Sequence, residues 1–269
     1  MKLKPGYILF FVFAILSLNT FSQRIVSLAP SLTKMLYILE AEEKLVGCTN
    51  YCIEAIKDKK SIVITGMEIN TEKIYTLKPD WVITTDLTKP TDIAALKKIG
   101  LKVKVMPSPK SYTQICEQLT ELARLTNKQS KAKSIIDQQQ ARLDRLKSLI
   151  PKDKKPKVFY EIGAKPLFTV IPNTFMDDFI TYSGGQNIAA DLKQGTITRE
   201  AVVLRNPDFI FIVTMGVVGD EEKAAWLKYS NISAVKKHKI FIVDSDKACS
   251  PDPVSFVDVV EQLIKTMYP

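Results

Sequence analysis

From Arg24 onward, apolar and polar positions alternate between two rhythms. Short runs rich in β-branched residues, the pattern of strands buried on both faces, occur at RIVSL (24–28), KLVGC (44–48), SIVIT (61–65), WVITT (81–85) and LKVKV (101–105). Segments with helical spacing lie between them. Pro30 and Ser31 open a helix that runs to Leu39, and further helices are predicted over Thr71–Leu77 and Thr91–Ile99. Alternation of this kind predicts a parallel sheet with helices on both faces.

A long helical stretch follows. Tyr112–Leu125 puts Ile115, Leu119, Leu122 and Leu125 on one face. After Thr126 and Asn127 a second helix continues to Leu149 without Gly or Pro, and Pro151 and Pro156 end it. Its roughly 22 residues span about 33 Å, and its thin apolar stripe suits a strut between two lobes. The strand pattern then restarts at KVFYE (157–161), LFTVI (167–171), DFIFIV (208–213) and KIFIVD (239–244). Helices are predicted from an Asn173 cap to the Gly184–Gly185 pair, over Thr198–Leu204, over 221–229 and over Ser255–Met267. The two halves echo each other: Glu72, Leu77, Pro79 and Asp80 precede WVITT, and Glu200, Leu204, Pro207 and Asp208 precede FIFIV. The predicted fold is α/β. Two lobes, at 23–127 and 151–269, each hold a parallel sheet with helices on both faces, and one long backbone helix at 128–150 joins them.

The segment before Arg24 has a different character. Lys2 and Lys4 precede an apolar run from Tyr7 to Leu18, with small residues at Thr20 and Ser22 before Gln23. This is the pattern of an export signal over 1–22, and the run is shorter than the roughly 20 apolar residues of a membrane span. An uncleaved N-terminal anchor is the alternative. No cysteine precedes Cys48, so the signal carries no lipid attachment point. The expected location is the periplasm.

Composition narrows the chemistry. A chain that is 46% hydrophobic and 25% charged is globular, not disordered. Without the signal it carries 36 basic and 29 acidic residues, a net +7, but its lysine clusters lack interleaved aromatics, so nucleic acid is not an expected partner. The one histidine, His238, excludes multi-histidine metal sites and sits in a Lys-rich turn. GxGxxG after a strand, a P-loop, GxSxG and HExxH are all missing, and SGGQN (183–187) follows a helix as a C-cap turn does. The sequence offers little for an enzyme, and none is expected.

The ordered series RIVSLAPSLTKMLYIL, KLVGCTNYC, GMEINTEKIYTLKPDWVITT, KPLFTV, TYSGGQNIAAD and ITREAVVLRNPDFI resembles bacterial periplasmic binding proteins for cobalamin and ferric siderophores, and the likeness covers residues 24–269. GMEINTEKI and the tyrosine of GCTNY are most similar to the cobalamin-binding branch. The resemblance implies capture of a corrinoid between the lobes and delivery to an ABC permease dimer by a monomer. It implies little lobe closure, because a continuous helix resists bending. It puts Tyr51 on one cleft wall, Asp246, Lys247, Ala248, Cys249 and Ser250 in a loop on the other, and Phe168 facing the cleft. It implies that Glu72 and Glu200, one per lobe, meet arginines of the permease. The cobalamin-binding relatives carry tryptophans at several cleft positions, where this chain has Ile64, Thr85 and Lys247. That less aromatic cleft leaves a ferric siderophore, haem or an incomplete corrinoid open as ligands, and a ligand-sensing subunit without transport open as a role. No cofactor or resident metal is expected. Cys116 reads as a core thiol. Cys48 and Cys52 flank Tyr51 and are open to a disulfide, or with Cys249 to a soft metal site.

Overall fold

A computed structural model describes residues 23–65, 68–213 and 219–269, so the export signal expected at 1–22 lies outside the described residues. The first sheet contains β1 (Ile25–Ser27), β2 (Leu45–Thr49), β3 (Ser61–Thr65), β4 (Glu68–Ile69), β5 (Trp81–Thr85) and β6 (Val103–Met106) in the order β4-β3-β2-β1-β5-β6. Only the β3–β4 pair is antiparallel among these neighbours. The helices are α1 (Pro30–Ile38), α2 (Ile53–Lys57), α3 (Thr71–Thr76) and α4 (Pro90–Lys98).

Strand alternation sorts the side chains to two faces. Val26, Val63 and Val82 join Ile74 of α3 and Leu96 of α4 in one core. Ile25, Cys48 and Ile83 face the opposite way, onto α1 and onto α5 (Tyr112–Thr126). Helices therefore cover both faces, as the near-continuous apolar strands require.

The second sheet contains β7 (Lys157–Ala164), β8 (Leu167–Thr169), β9 (Gln186–Asn187), β10 (Phe209–Val213) and β11 (Ile240–Val243), in the order β11-β10-β7-β8 with β9 beside β7. β8 runs antiparallel to β7, and the other pairs are parallel. Phe159, Ile210 and Ile212 face Trp226 on α9 (Gly219–Leu227) and Val202 on α8 (Arg199–Arg205), with α10 (Ser233–Lys236) beside them. Tyr160, Phe209 and Phe211 point to the other face.

There the lobes meet. The chain leaves α5 through Asn127, which is left-handed at φ 61°, and turns into α6 (Gln129–Lys147). The strut does not stand alone. Its residues Ala132, Ile135, Leu143 and Leu146 join one apolar cluster that runs from Ile25 of the first sheet to Phe211 of the second. Phe256 of α12 (Pro253–Met267) lies 4.6 Å from the Tyr112 ring and 4.8 Å from that of Phe179 on α7 (Phe175–Tyr182). The Tyr112 backbone N–H donates to Asp178 across the junction at 2.8 Å, and the Arg142 guanidinium of α6 grips Asp258 and Glu261 of α12.

The duplication is visible as geometry. Lys78 and Asn206 both have φ 47° after their helices. The Pro-Asp that follows closes on the first strand of each lobe: Arg24 N–H donates to Asp80 at 2.7 Å, and Lys157 N–H donates to Asp208 at 3.0 Å. Two local expectations are corrected. Asn173 does not cap α7; it adopts φ 64°, which asparagine tolerates, and the extended Thr174 is the cap residue. The stretch expected as a loop at 246–250 begins as a one-turn helix, α11 (Ser245–Cys249), capped by Asp244, whose carboxylate accepts from the Asp246 N–H at 2.8 Å. Gly184 follows α7 at φ 74°, as a C-cap turn requires, and a Cβ there would sit 2.6 Å from Ile150.

A buried polar cluster supports the second lobe. Trp226 Nε1 donates to Glu161 at 2.6 Å, and the Arg199 guanidinium lies 4.5 Å over the Trp226 ring while pairing with Glu222. Burial is the main cause that pushes the Glu161 carboxyl up to about 8, against the Trp226 hydrogen bond and with Glu222 adding to the rise. A carboxyl with a raised folded value supplies stability below its unfolded value, near about 4.3, and loses it as pH rises through the folded one. Thermal melts are therefore expected to fall in Tm between about pH 5 and 9. Glu161→Gln keeps an acceptor for Trp226 and a donor for Glu222, and should flatten that slope. Equal slopes in the two proteins would assign the pH dependence to other groups.

Candidate ligand-binding cleft

A concave site touching both lobes lies at the C-terminal ends of the parallel strands of the first sheet, where connections to helices leave a crevice. It encloses about 360 Å³. Leu28 after β1, Thr49 at the end of β2, Ile64 of β3, Thr85 at the end of β5 and Ser108 after β6 form one side, with Ala29, Pro30 and Ser31 at the start of α1. Phe175, Cys249, Ser250 and Pro251 of the second lobe form the other. The floor is apolar. Ser31, Thr49, Thr85, Thr88 and Ser108 add hydroxyl-bearing residues to the lining, and Lys89 and Asp92 bring the charges. Such a surface fits a large amphipathic molecule with polar groups on its periphery.

Local hydrogen bonds fix the rim. Thr49 Oγ1 accepts the Tyr51 N–H at 3.2 Å and contacts Cys52 Sγ at 3.3 Å, and Cys52 Sγ donates to Thr33 of α1 at 3.3 Å. The turn is tied down through its backbone and its buried thiol, and Tyr51 is 59% exposed beside the cleft. On the facing turn, Thr84 and Thr88 share a hydrogen bond of 2.6 Å, and Ser108 N–H donates to Asp86 at 2.9 Å. Leu87 between them is 84% exposed.

All four cysteines are free thiols. Cys48 and Cys52 are buried neighbours, and the hydrogen bond between them raises the Cys48 thiol and lowers Cys52 to about 6. Burial raises Cys116 and Cys249 to about 11 each. Cys116 is half-buried against the core, not fully inside it. Among the described residues no three His, Cys, Asp or Glu side chains converge as a metal site. His238 is exposed in a turn at φ 55° before β11.

The residues expected from sequence divide into two groups. Tyr51, Cys249 and Ser250 line the cleft. Phe168, Asp246, Lys247 and Ala248 are not among its lining residues. Phe168 stands on β8, where its ring approaches the positions of Gly163 and Gly195. Ala248 is buried beneath α11. Asp246 is engaged by Lys34 of α1, and Lys247 lies 3.6 Å from Asp258 of α12. The sequence reading missed Phe175, Pro251, Ser31 and the Leu87–Lys89 turn; the exposed leucine in a polar turn was the one available signal. Ile64 and Thr85, which stand where the resemblance implied tryptophan, both line the cleft. Trp226 is sealed inside the second lobe, and Trp81 begins β5 at the strand's other end.

Glu72 and Glu200 are exposed in the first turns of α3 and α8. Asn70 and Thr198 cap those helices through the N–H groups of Lys73 and Ala201, so neither glutamate is required as a cap. Among the described residues neither glutamate makes an ion pair.

The family model described as periplasmic binding protein matches residues 25–247. An uncharacterized ABC transporter substrate-binding lipoprotein of Bacillus subtilis is 30% identical over 258 residues, covering 92% of this chain and 80% of that protein. A crystal structure of a possible iron-binding periplasmic solute-binding protein from Staphylococcus epidermidis aligns with TM-score 0.80 and 27% identity over 92% of this chain and 99% of that one. The periplasmic vitamin B12 binding protein of Vibrio cholerae aligns with TM-score 0.77 and 25% identity over 91% and 96% of the two chains.

Proposed function

The chain belongs to the periplasmic binding protein family and is the substrate-binding protein of an ABC transporter; on that premise we propose that it captures a corrinoid outside the cytoplasm and hands it to a permease dimer. The observation that carries this reading is the cleft: an apolar floor shared by two lobes, edged with hydroxyls, with a free tyrosine ring at its rim. A corrin is a wide, nearly flat ring with amides around its edge. The ring rests on Leu28, Ile64, Phe175 and the face of Tyr51, and the amides find the hydroxyls of Ser31, Thr85, Thr88 and Ser108. Binding and release are the whole chemistry, and no group in the cleft is asked to break a bond. No helix among the described residues is long and apolar enough to cross a membrane. Among the described residues Lys89 is the one cationic side chain lining the cleft, and it favours a second reading, an anionic ferric siderophore.

Isothermal titration separates the two. Cyanocobalamin or dicyanocobinamide should release heat with one site per chain, and Tyr51→Ala should weaken that binding by about tenfold or more without shifting Tm, since the ring is mostly in solvent. Tight binding of a ferric siderophore with no corrinoid heat would select the second reading.

Docking follows from the paired glutamates. Two exposed carboxylates at equivalent places on the lobes suit a two-fold permease, each addressing one subunit through bidentate arginine contacts. Glu72→Ala combined with Glu200→Ala should abolish uptake in cells while ligand affinity and Tm stay at their parental values. Normal uptake would remove the docking role. Lost uptake with a large fall in Tm would return both residues to helix-end stabilisation.

A further inference from the structure

Helix α11 holds part of the second lobe's wall, yet it has five residues, too few to be stable on intrinsic propensity. Its place is set by what it is tied to. Asp244 caps its start and Ala248 anchors it in the core. Its two charged residues are tied in opposite directions. Lys247 reaches Asp258 of α12 at 3.6 Å, and Asp258 is itself held by Arg142 of the strut at 2.7 Å. Asp246 is held from the first lobe. Lys34 Nζ donates to its carboxylate and to its backbone carbonyl, each at 2.6 Å.

The Lys34 contact differs from an ordinary surface ion pair, which contributes little. The Lys34 side chain is only 13% exposed. Its two hydrogen bonds to one residue, one to the carboxylate and one to the backbone carbonyl, fix a backbone and not only a side chain. Lys34 also lies one turn along α1 from Ser31, which lines the cleft, while Asp246 lies one turn before Cys249 and Ser250, which line the other wall. The pair therefore bridges the lobes directly behind the ligand site.

We propose that Lys34 is a positioning residue for ligand binding: by fastening Asp246 it clips α11 to the first lobe and sets where Cys249, Ser250 and Pro251 stand against the ligand. This rests on the reading of the cleft as the ligand site. It replaces direct contact by Asp246 with a holding role. With Lys34 removed, α11 keeps its tie to α12 but loses its tie across the cleft, so it moves away from the opposite wall and the ligand leaves faster.

The test uses the full mature chain as parent, Lys34→Met, Lys34→Arg and, as a second break of the same side-chain contact, Asp246→Ala. Hydrogen exchange of the 245–250 amides is read without ligand, and release of dicyanocobinamide is followed by stopped-flow. Lys34→Met and Asp246→Ala should exchange faster over 245–250 and release the probe at least about tenfold faster, Lys34→Arg should stay near the parent, and Tm should be little changed in all. Parental exchange and release in Lys34→Met would overturn the proposal. Equal losses in Lys34→Met and Lys34→Arg, with a collapse of Tm, would overturn it as well by showing a general packing role. A parent that binds no dicyanocobinamide would defeat the corrinoid reading alone, and the exchange comparison would still decide whether the clip exists.

Discussion

Phe256 occupies the place where the two lobes become one body. Its ring packs between Tyr112 at the start of α5 and Phe179 on α7, and the contact continues through Tyr160 to Phe211 in the middle of the second sheet. Truncating a buried phenylalanine to alanine typically costs about 3–5 kcal/mol, a large share of the about 5–15 kcal/mol that holds a domain together. Because this column belongs to the same cluster as Ile25 and Ile83 of the first sheet, the lobes share a core at the back of the molecule. The cleft at the front is the space this junction leaves open. Its width is fixed by packed side chains and not by the bending of loops.

Function follows from that division. The rear is apolar, aromatic and closed, with Arg142 locking α6 to α12. The front is built from strand ends and short turns, where side chains are free to meet a ligand: Tyr51 and Leu87 are exposed because no element covers them. Between the two stands α11, a short element held by charges from both sides. The lobes also repeat one local feature, a glutamate in the first turn of a capped helix whose exit closes through Pro-Asp onto the lobe's first strand. One set of local interactions thus presents Glu72 and Glu200 in the same relation to their own sheets.

Much of the fold was legible because strands buried on both faces write themselves as unbroken apolar runs. SIVIT and WVITT have the bounds of β3 and β5, and the helix expected over 128–149 is observed as Gln129–Lys147. Short elements escaped for the opposite reason: α2, α10 and α11 have no full period of apolar spacing. The cleft was legible only in part. Tyr51, Cys249 and Ser250, expected from the resemblance, line the cleft, whereas Asp246 and Lys247 of the same motif are not among its lining residues. What diverts them are Lys34, far upstream in the chain, and Asp258 on the final helix, and pairing at such separations leaves no local pattern. Phe168 is not among the cleft's lining residues, and alternation along a three-residue strand does not say which face of β8 meets the cleft.

The central claim is that the cleft is formed before the ligand arrives. Small-angle X-ray scattering of the mature chain, recorded alone and saturated with dicyanocobinamide, tests it most directly. A shared rear core predicts superimposable scattering profiles apart from the mass of the ligand. A ligand-bound particle with a clearly smaller radius of gyration, as closure about a flexible hinge would produce, would contradict it.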